Sequence, residues 1–151
     1  MIKRTHLALG LAVSLYFLPF VNNKLLFIPV VILSSLLPNL DSGLSKLGKR
    51  KMFKSVEAVF THRGPLHSYT LCILLCLIVA FIYPIFSLPF FLGYSFHLFI
   101  DSFTVNGIRP FWPLKFQSSG LARNGGLMDR WLFIIFLISS AVLFLLLFVN
   151  Y

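Results

Sequence analysis

The chain has 151 residues, 58% of them hydrophobic with 18 Phe among them, and only 11% charged. A soluble core of this size cannot hide so many large apolar groups, so an ordinary water-soluble globule is excluded and a membrane protein of one domain, residues 1–151, remains. The net charge of +9 does not argue for nucleic acid, because the basic residues stand between apolar runs, where they act as topology signals and as anchors for anionic lipid head groups.

Lys3 and Arg4 precede an apolar run from Leu7 to Val21. That run resembles a signal sequence, but Tyr16-Phe17-Leu18-Pro19-Phe20 is bulky and offers no small-x-small cleavage site, so it reads as a retained helix. After the connection Asn22-Asn23-Lys24, a second run extends from Leu25 to Leu40. Both runs are short against the ~20 residues of a spanning helix. They suit an antiparallel helical hairpin.

From Ser42 to His67 the chain is polar and basic, with Lys46, Lys49, Arg50, Lys51, Lys54 and Arg63 against Glu57. Tyr69 to Thr104 is almost uncharged. As one helix it would run roughly 54 Å at ~1.5 Å per residue, well beyond a ~30 Å hydrocarbon core. Pro84 and Pro89 bracket Ile85-Phe86-Ser87-Leu88, which predicts a turn there, between a third helix from Tyr69 to Tyr83 and a fourth from Pro89 to Phe103. A second polar loop, Val105 to Arg130, carries Phe111, Trp112 and Phe116 as interface aromatics. Trp131 to Val149 is the clearest spanning helix. Cys72 and Cys76 lie one helical turn apart in an apolar run and read as packing residues.

The expected fold is therefore an all-α, polytopic membrane helix bundle of about five transmembrane helices. With Met1 inside, the N-terminus and both polar loops share the cytoplasmic side and hold every Lys and Arg except Lys24. That asymmetry predicts an N-in, C-out orientation.

The same alternation brings His6, Asp41, His62, His67, His97 and Asp101 to one membrane face, and the histidines took no part in setting the topology. His97 and Asp101 are four residues apart, one above the other on a helix face. Histidine with carboxylate is a ligand set for zinc that also suits manganese or iron. A plain His-Asp hydrogen bond that tightens packing is the alternative for the pair taken alone. Ionisable groups within membrane segments default to function, and six of them at one face point to one or two divalent ions. Asp41 reads either as a ligand or as a helix end, and either of His62 and His67 can turn inward. Arg63 reads as an inside-positive charge or as a clamp for a phosphate or carboxylate beside the metal. Ser68 is placed to cap the third helix. Thr104 and Asn106 either support Asp101 or end its helix. Glu57 and Asp129 read as solvated ion pairs in basic loops.

Pro38-Asn39-Leu40-Asp41, Thr61-His62-Arg63-Gly64-Pro65-Leu66-His67-Ser68, Gly93-Tyr94-Ser95-Phe96-His97-Leu98-Phe99-Ile100-Asp101-Ser102-Phe103-Thr104, Gly107 and Trp112-Pro113 together resemble the YdjM-like membrane proteins. These are described as LexA-regulated, inner-membrane metal-dependent hydrolases. The resemblance covers His6 to about Pro113 and implies that His6, Asp41, His62, His67, His97 and Asp101 form the site. Asn39 and Ser42 stand where that family often has an acidic residue and a histidine, which removes two ligands for a second ion. A more distant likeness, in the order His, Asp, His, HxxxD, is to the first half of the ligand set of zinc-dependent phospholipase C and related single-strand-specific zinc nucleases. It implies phosphoester chemistry.

The expected function is a membrane-embedded hydrolase acting on a lipid or lipid-linked phosphoester at the cytoplasmic face of the inner membrane. Asp101 and His97 are its core ligands, Arg63 holds the anionic group, and no nucleic-acid partner is expected. A non-enzymatic protein with a structural metal, or with a partner role in a stress response, is the rival. A closed four-ligand site favours that rival and an open position favours catalysis. An ion transporter is the weakest reading, because the third and fifth helices carry no ionisable group in their interiors.

Overall fold

The computed structural model describes residues 1–39 and 65–150. Five α-helices carry most of them: α1 (Lys3–Phe17), α2 (Lys24–Leu36), α3 (Tyr69–Ile82), α4 (Pro84–Ser102) and α5 (Leu127–Asn150). Single 3-10 turns follow α1 (Leu18–Phe20) and α2 (Leu37–Asn39) and precede α3 (Pro65–His67). Among the described residues there is no strand. The segment between α4 and α5 is pinned by isolated bridges, Thr104 to Ala122 and Ile108 to Ser118, so the all-α expectation holds.

Local chemistry accounts for most helix ends. Pro19 and Pro38 lack an N–H and crowd the carbonyl four residues back, so each α-helix gives way to a 3-10 turn at that point. Ser68 caps α3 as expected: its Oγ accepts from Leu71 N at 3.2 Å and donates to the Pro65 carbonyl at 2.6 Å.

The expected turn at Ile85-Phe86-Ser87-Leu88 is a correction. Those residues are helical, and the break falls on Tyr83 alone (φ −139°, ψ 79°). Tyr83 precedes Pro84, and a residue before proline is driven to extended backbone. Pro84 then occupies the first helical position, where no N–H is needed. Pro89 forfeits one bond to Ile85 but stays inside the helix. That loss is offset by the buried face that follows it, Leu92, Tyr94, His97, Leu98 and Asp101.

α1 is the centre of the packing and touches α2, α4 and α5. Leu9, Val13, Phe27, Val31, Leu92 and Ile100 form one core, and Cys72, Tyr94, Leu98 and Ile108 a second. Cys72 is thus a packing residue. Small side chains let the helices approach, as in membrane bundles. A Cβ on Gly93 would lie inside contact of Ser34 Oγ and the Val31 carbonyl on α2. Ser34 Oγ donates to the Val30 carbonyl at 2.7 Å and reaches Pro89 O on α4 at 3.3 Å. Ser35 Oγ similarly reaches His6 O on α1 at 3.3 Å.

The helices alternate in direction, so the starts of α1, α3 and α5 and the ends of α2 and α4 share one end of the bundle. α4 and α5 are long and apolar enough to cross a membrane, while α2 and α3 are shorter apolar helices. Few residues of α5 are fully buried, although the helix packs along α1.

Candidate metal centre

Asp101, in the last turn of α4, is the hub of the polar end. It is 2% exposed, and His6 and His97 are fully buried. His6 Nε2 lies 3.4 Å from Asp101 Oδ1. His67 Nε2 and His97 Nε2 lie 3.5 Å and 3.7 Å from Oδ2. The Met1 amino nitrogen donates to Oδ1 at 2.7 Å. The rings of His6 and His97 are stacked with centroids 3.7 Å apart, and the His67 ring stands edge-on to His97 at 5.5 Å.

Each ligand is positioned by its element. His97 and Asp101 share a face of α4 one turn apart. His6 sits in the second turn of α1, between the Ser35 contact and the core. His67 ends the 3-10 turn that Ser68 closes, and that turn is tied to α4 by Tyr94 Oη donating to the Leu66 carbonyl at 2.7 Å.

The arrangement fits a divalent ion on three counts. First, one donor atom from each of His6, His97 and Asp101 lies within 4.8 Å of the others. Second, tetrahedral ligands about 2.1 Å from zinc stand roughly 3.4 Å from one another, which is close to the three imidazole-to-carboxylate distances. Third, both ring nitrogens of His6 and the Nε2 of His97 are buried with no hydrogen-bond partner among the described residues. The His97 tautomer sharpens this. Its Nδ1 lies 2.5 Å from the Ser35 carbonyl, and a carbonyl only accepts, so Nδ1 carries the hydrogen. In the neutral ring, Nε2 then turns a lone pair toward a carboxylate that also only accepts. A cation between them would remove that conflict, and the Ser35 carbonyl stands where the outer partner of a metal-binding histidine would stand.

Four expected ligands, His6, His67, His97 and Asp101, are therefore together. Asp41, His62 and Arg63 lie outside the described residues, as do Ser42 and Glu57. Ser68 acts through the turn that carries His67. Thr104 is buried and donates to the main-chain carbonyl of Asp101 at 2.7 Å, so it closes the end of α4.

Asp129 is a correction. It was expected as a solvated ion pair, yet it is 2% exposed. Its carboxylate accepts from Thr5 Oγ1 at 2.7 Å, from Ile2 N at 3.2 Å and from Gly125 N at 2.7 Å. Gly125 takes a positive φ of 73° to turn its N–H inward. This clasp fixes the start of α1, and with it His6, against the start of α5. Asp129→Ala is expected to lower stability by about 3 kcal/mol, since three donors lose their acceptor. Thermal unfolding in detergent checks this, with Asp129→Asn recovering part of the loss. An aspartate in the first turn of a helix is ordinary, so no sequence signal foretold its burial. The adjacent serines Ser34 and Ser35 in an apolar run were a usable signal of helix contact, but not of the carbonyl that meets His97.

The family model described as YdjM inner membrane protein matches residues 1–151, the whole chain. No curated protein matches the chain. No solved structure matches it either, so the likeness to zinc phospholipase C gains no support.

Proposed function

Because the chain belongs to the YdjM inner membrane protein family, we propose that it is a multi-pass, N-in and C-out membrane hydrolase. In this reading its metal centre works at the cytoplasmic face on a phosphoester of a lipid or lipid-linked substrate. The observation that carries the metal reading is the convergence of His6, His67 and His97 on Asp101, with ring nitrogens of His6 and His97 that find no hydrogen-bond partner among the described residues. The positive charge on the N-terminus and on both polar loops supports the orientation.

A divalent ion bound there, zinc by preference and manganese or iron otherwise, supplies a Lewis acid that lowers the pKa of water and polarises an ester. The chain's own residues do the rest. His97 is held in its Nδ1–H tautomer by the Ser35 carbonyl and offers Nε2. Asp101 supplies the negative charge that draws a cation into a buried pocket. The apolar walls exclude bulk water, which strengthens each electrostatic contact. Arg63 and His62 precede Pro65–His67 in the chain and are assigned the anionic group and a further ligand position. Asp41 is assigned as a ligand from the end of the second apolar run.

Elemental analysis of the detergent-purified protein tests this reading. Stoichiometric zinc, manganese or iron that disappears in His97→Ala, together with turnover of a lipid phosphoester by wild type only, is the expected result. No bound metal in wild type after refeeding with all three metals would overturn it.

The near-complete burial of the four described ligands favours a second reading, a closed structural site. Cobalt-substituted protein separates the two. A visible spectrum that changes on adding a phosphate ester marks an open position and catalysis, and an unchanged spectrum marks structure.

A further inference from the structure

A long apolar groove runs along the bundle between α4 and α5. Both helices pack on α1 and hardly touch each other, so α1 forms the floor. Two hollows of about 350 and 360 Å³ share Leu9, Phe96 and Phe136 and so form one channel. The first begins at Met1 and the second reaches Phe17. From Met1 to Phe17 the rise of α1 is roughly 24 Å at ~1.5 Å per residue. One leaflet of a ~30 Å core is about 15 Å deep, so the groove is long enough to take the whole chain of a lipid from one leaflet.

Its two ends differ. The lining of the first hollow is wholly apolar, so nothing there recognises a polar ligand. The Met1 end opens beside the metal centre, because the Met1 nitrogen donates to Asp101. Exposed cations flank that end in sequence: Lys3 and Arg4 on the first turn of α1, and Arg123 next to the lining residue Ala122.

We propose that this groove binds the acyl chain of an anionic lipid whose head group rests at the Met1 end, beside the metal centre. The chain lies along α1 in van der Waals contact with Phe96 and Phe136, and the cations hold the head. This rests on the reading of the centre as one that takes a lipid phosphoester, and it deepens it: the substrate is an amphiphile with a long chain and a negatively charged head.

The test uses the full chain in nanodiscs with phosphatidylglycerol carrying a photoreactive group in its acyl chain, and labelled peptides are mapped by mass spectrometry. Labelling is expected on α4 at Phe96 and Phe99 and on α5 at Leu132 and Phe136. Unlabelled phosphatidylglycerol should compete it away and phosphatidylcholine should not. Leu132→Trp, which fills the groove from a half-buried position, should lower the labelling at least fivefold. Labelling spread evenly over lipid-exposed residues such as Phe81 on α3, labelling unchanged in Leu132→Trp, or equal competition by phosphatidylcholine would overturn the proposal. Metal content measured on the same samples keeps the two readings apart. Competed labelling on metal-free wild type supports the groove and refutes the hydrolase. Even labelling on metal-loaded protein refutes the groove and leaves the metal centre standing.

Discussion

Asp101→Ala is expected to abolish metal binding and to destabilise the protein more than any other single substitution in the described bundle. Asp101 brings the one carboxylate among the described residues that His6, His67, His97 and the Met1 nitrogen all face, at 2.7 to 3.7 Å. Removing it takes away the counter-charge that the described residues offer to the buried imidazoles and the ammonium, and breaking a buried ion pair from one side costs about 3–5 kcal/mol. Asp101→Asn keeps the volume and an acceptor for the Met1 nitrogen but not the charge. It should lie between wild type and Asp101→Ala in stability and still bind no metal. Thermal unfolding followed by far-UV circular dichroism, with elemental analysis on the same samples, checks both statements. Wild-type metal stoichiometry in Asp101→Ala would remove Asp101 from the ligand set.

Gly93→Ala is expected to damage both the fold and the metal centre, although Gly93 touches no ligand directly. The added Cβ would press into Ser34 Oγ and the Val31 carbonyl and stand 3.0 Å from Ser35 N. Two of these three atoms are backbone and cannot rotate away, so α2 and α4 must separate. Overpacking of this kind costs about 1–3 kcal/mol. It also shifts the Ser35 carbonyl relative to His97, which lies one turn beyond Gly93 on α4. Loss of such an outer partner weakens metal binding about 10- to 100-fold. Titration of zinc into the refolded or detergent-purified variant measures this. Adding Ser34→Gly removes the Oγ clash but leaves the Val31 carbonyl in place, so partial rescue is expected. Full rescue would show that the backbones are not in contact at Gly93.

The clasp at Asp129 and the crossing at Gly93 both act at a distance from the ligands. One sets where α1 begins relative to α5, and the other sets how close α2 comes to α4. The two helices that carry candidate ligands, α1 with His6 and α4 with His97 and Asp101, thus owe their positions to groups whose own chemistry is unrelated to metal. A metal reading asks for this, because a working site must hold its groups to within about 0.5 Å.

The sequence alone carries the all-α architecture, the apolar helices α2 to α5 and the cap at Ser68, because run length, proline and capping are local effects. It also determined that His6, His67, His97 and Asp101 meet, since alternating helices return every second connection to the same end of the bundle. The remaining features depend on contacts between distant segments. Pro89 stays inside α4 because burial of the face beyond it outweighs one lost hydrogen bond, a balance that local proline rules do not contain. Asp129 is buried because donors at Ile2 and Thr5, more than a hundred residues away in the chain, converge on it beside the local donor at Gly125. The proton on His97 is assigned by a backbone carbonyl, that of Ser35. Every residue carries such a carbonyl, so no side-chain pattern in the sequence could single that one out.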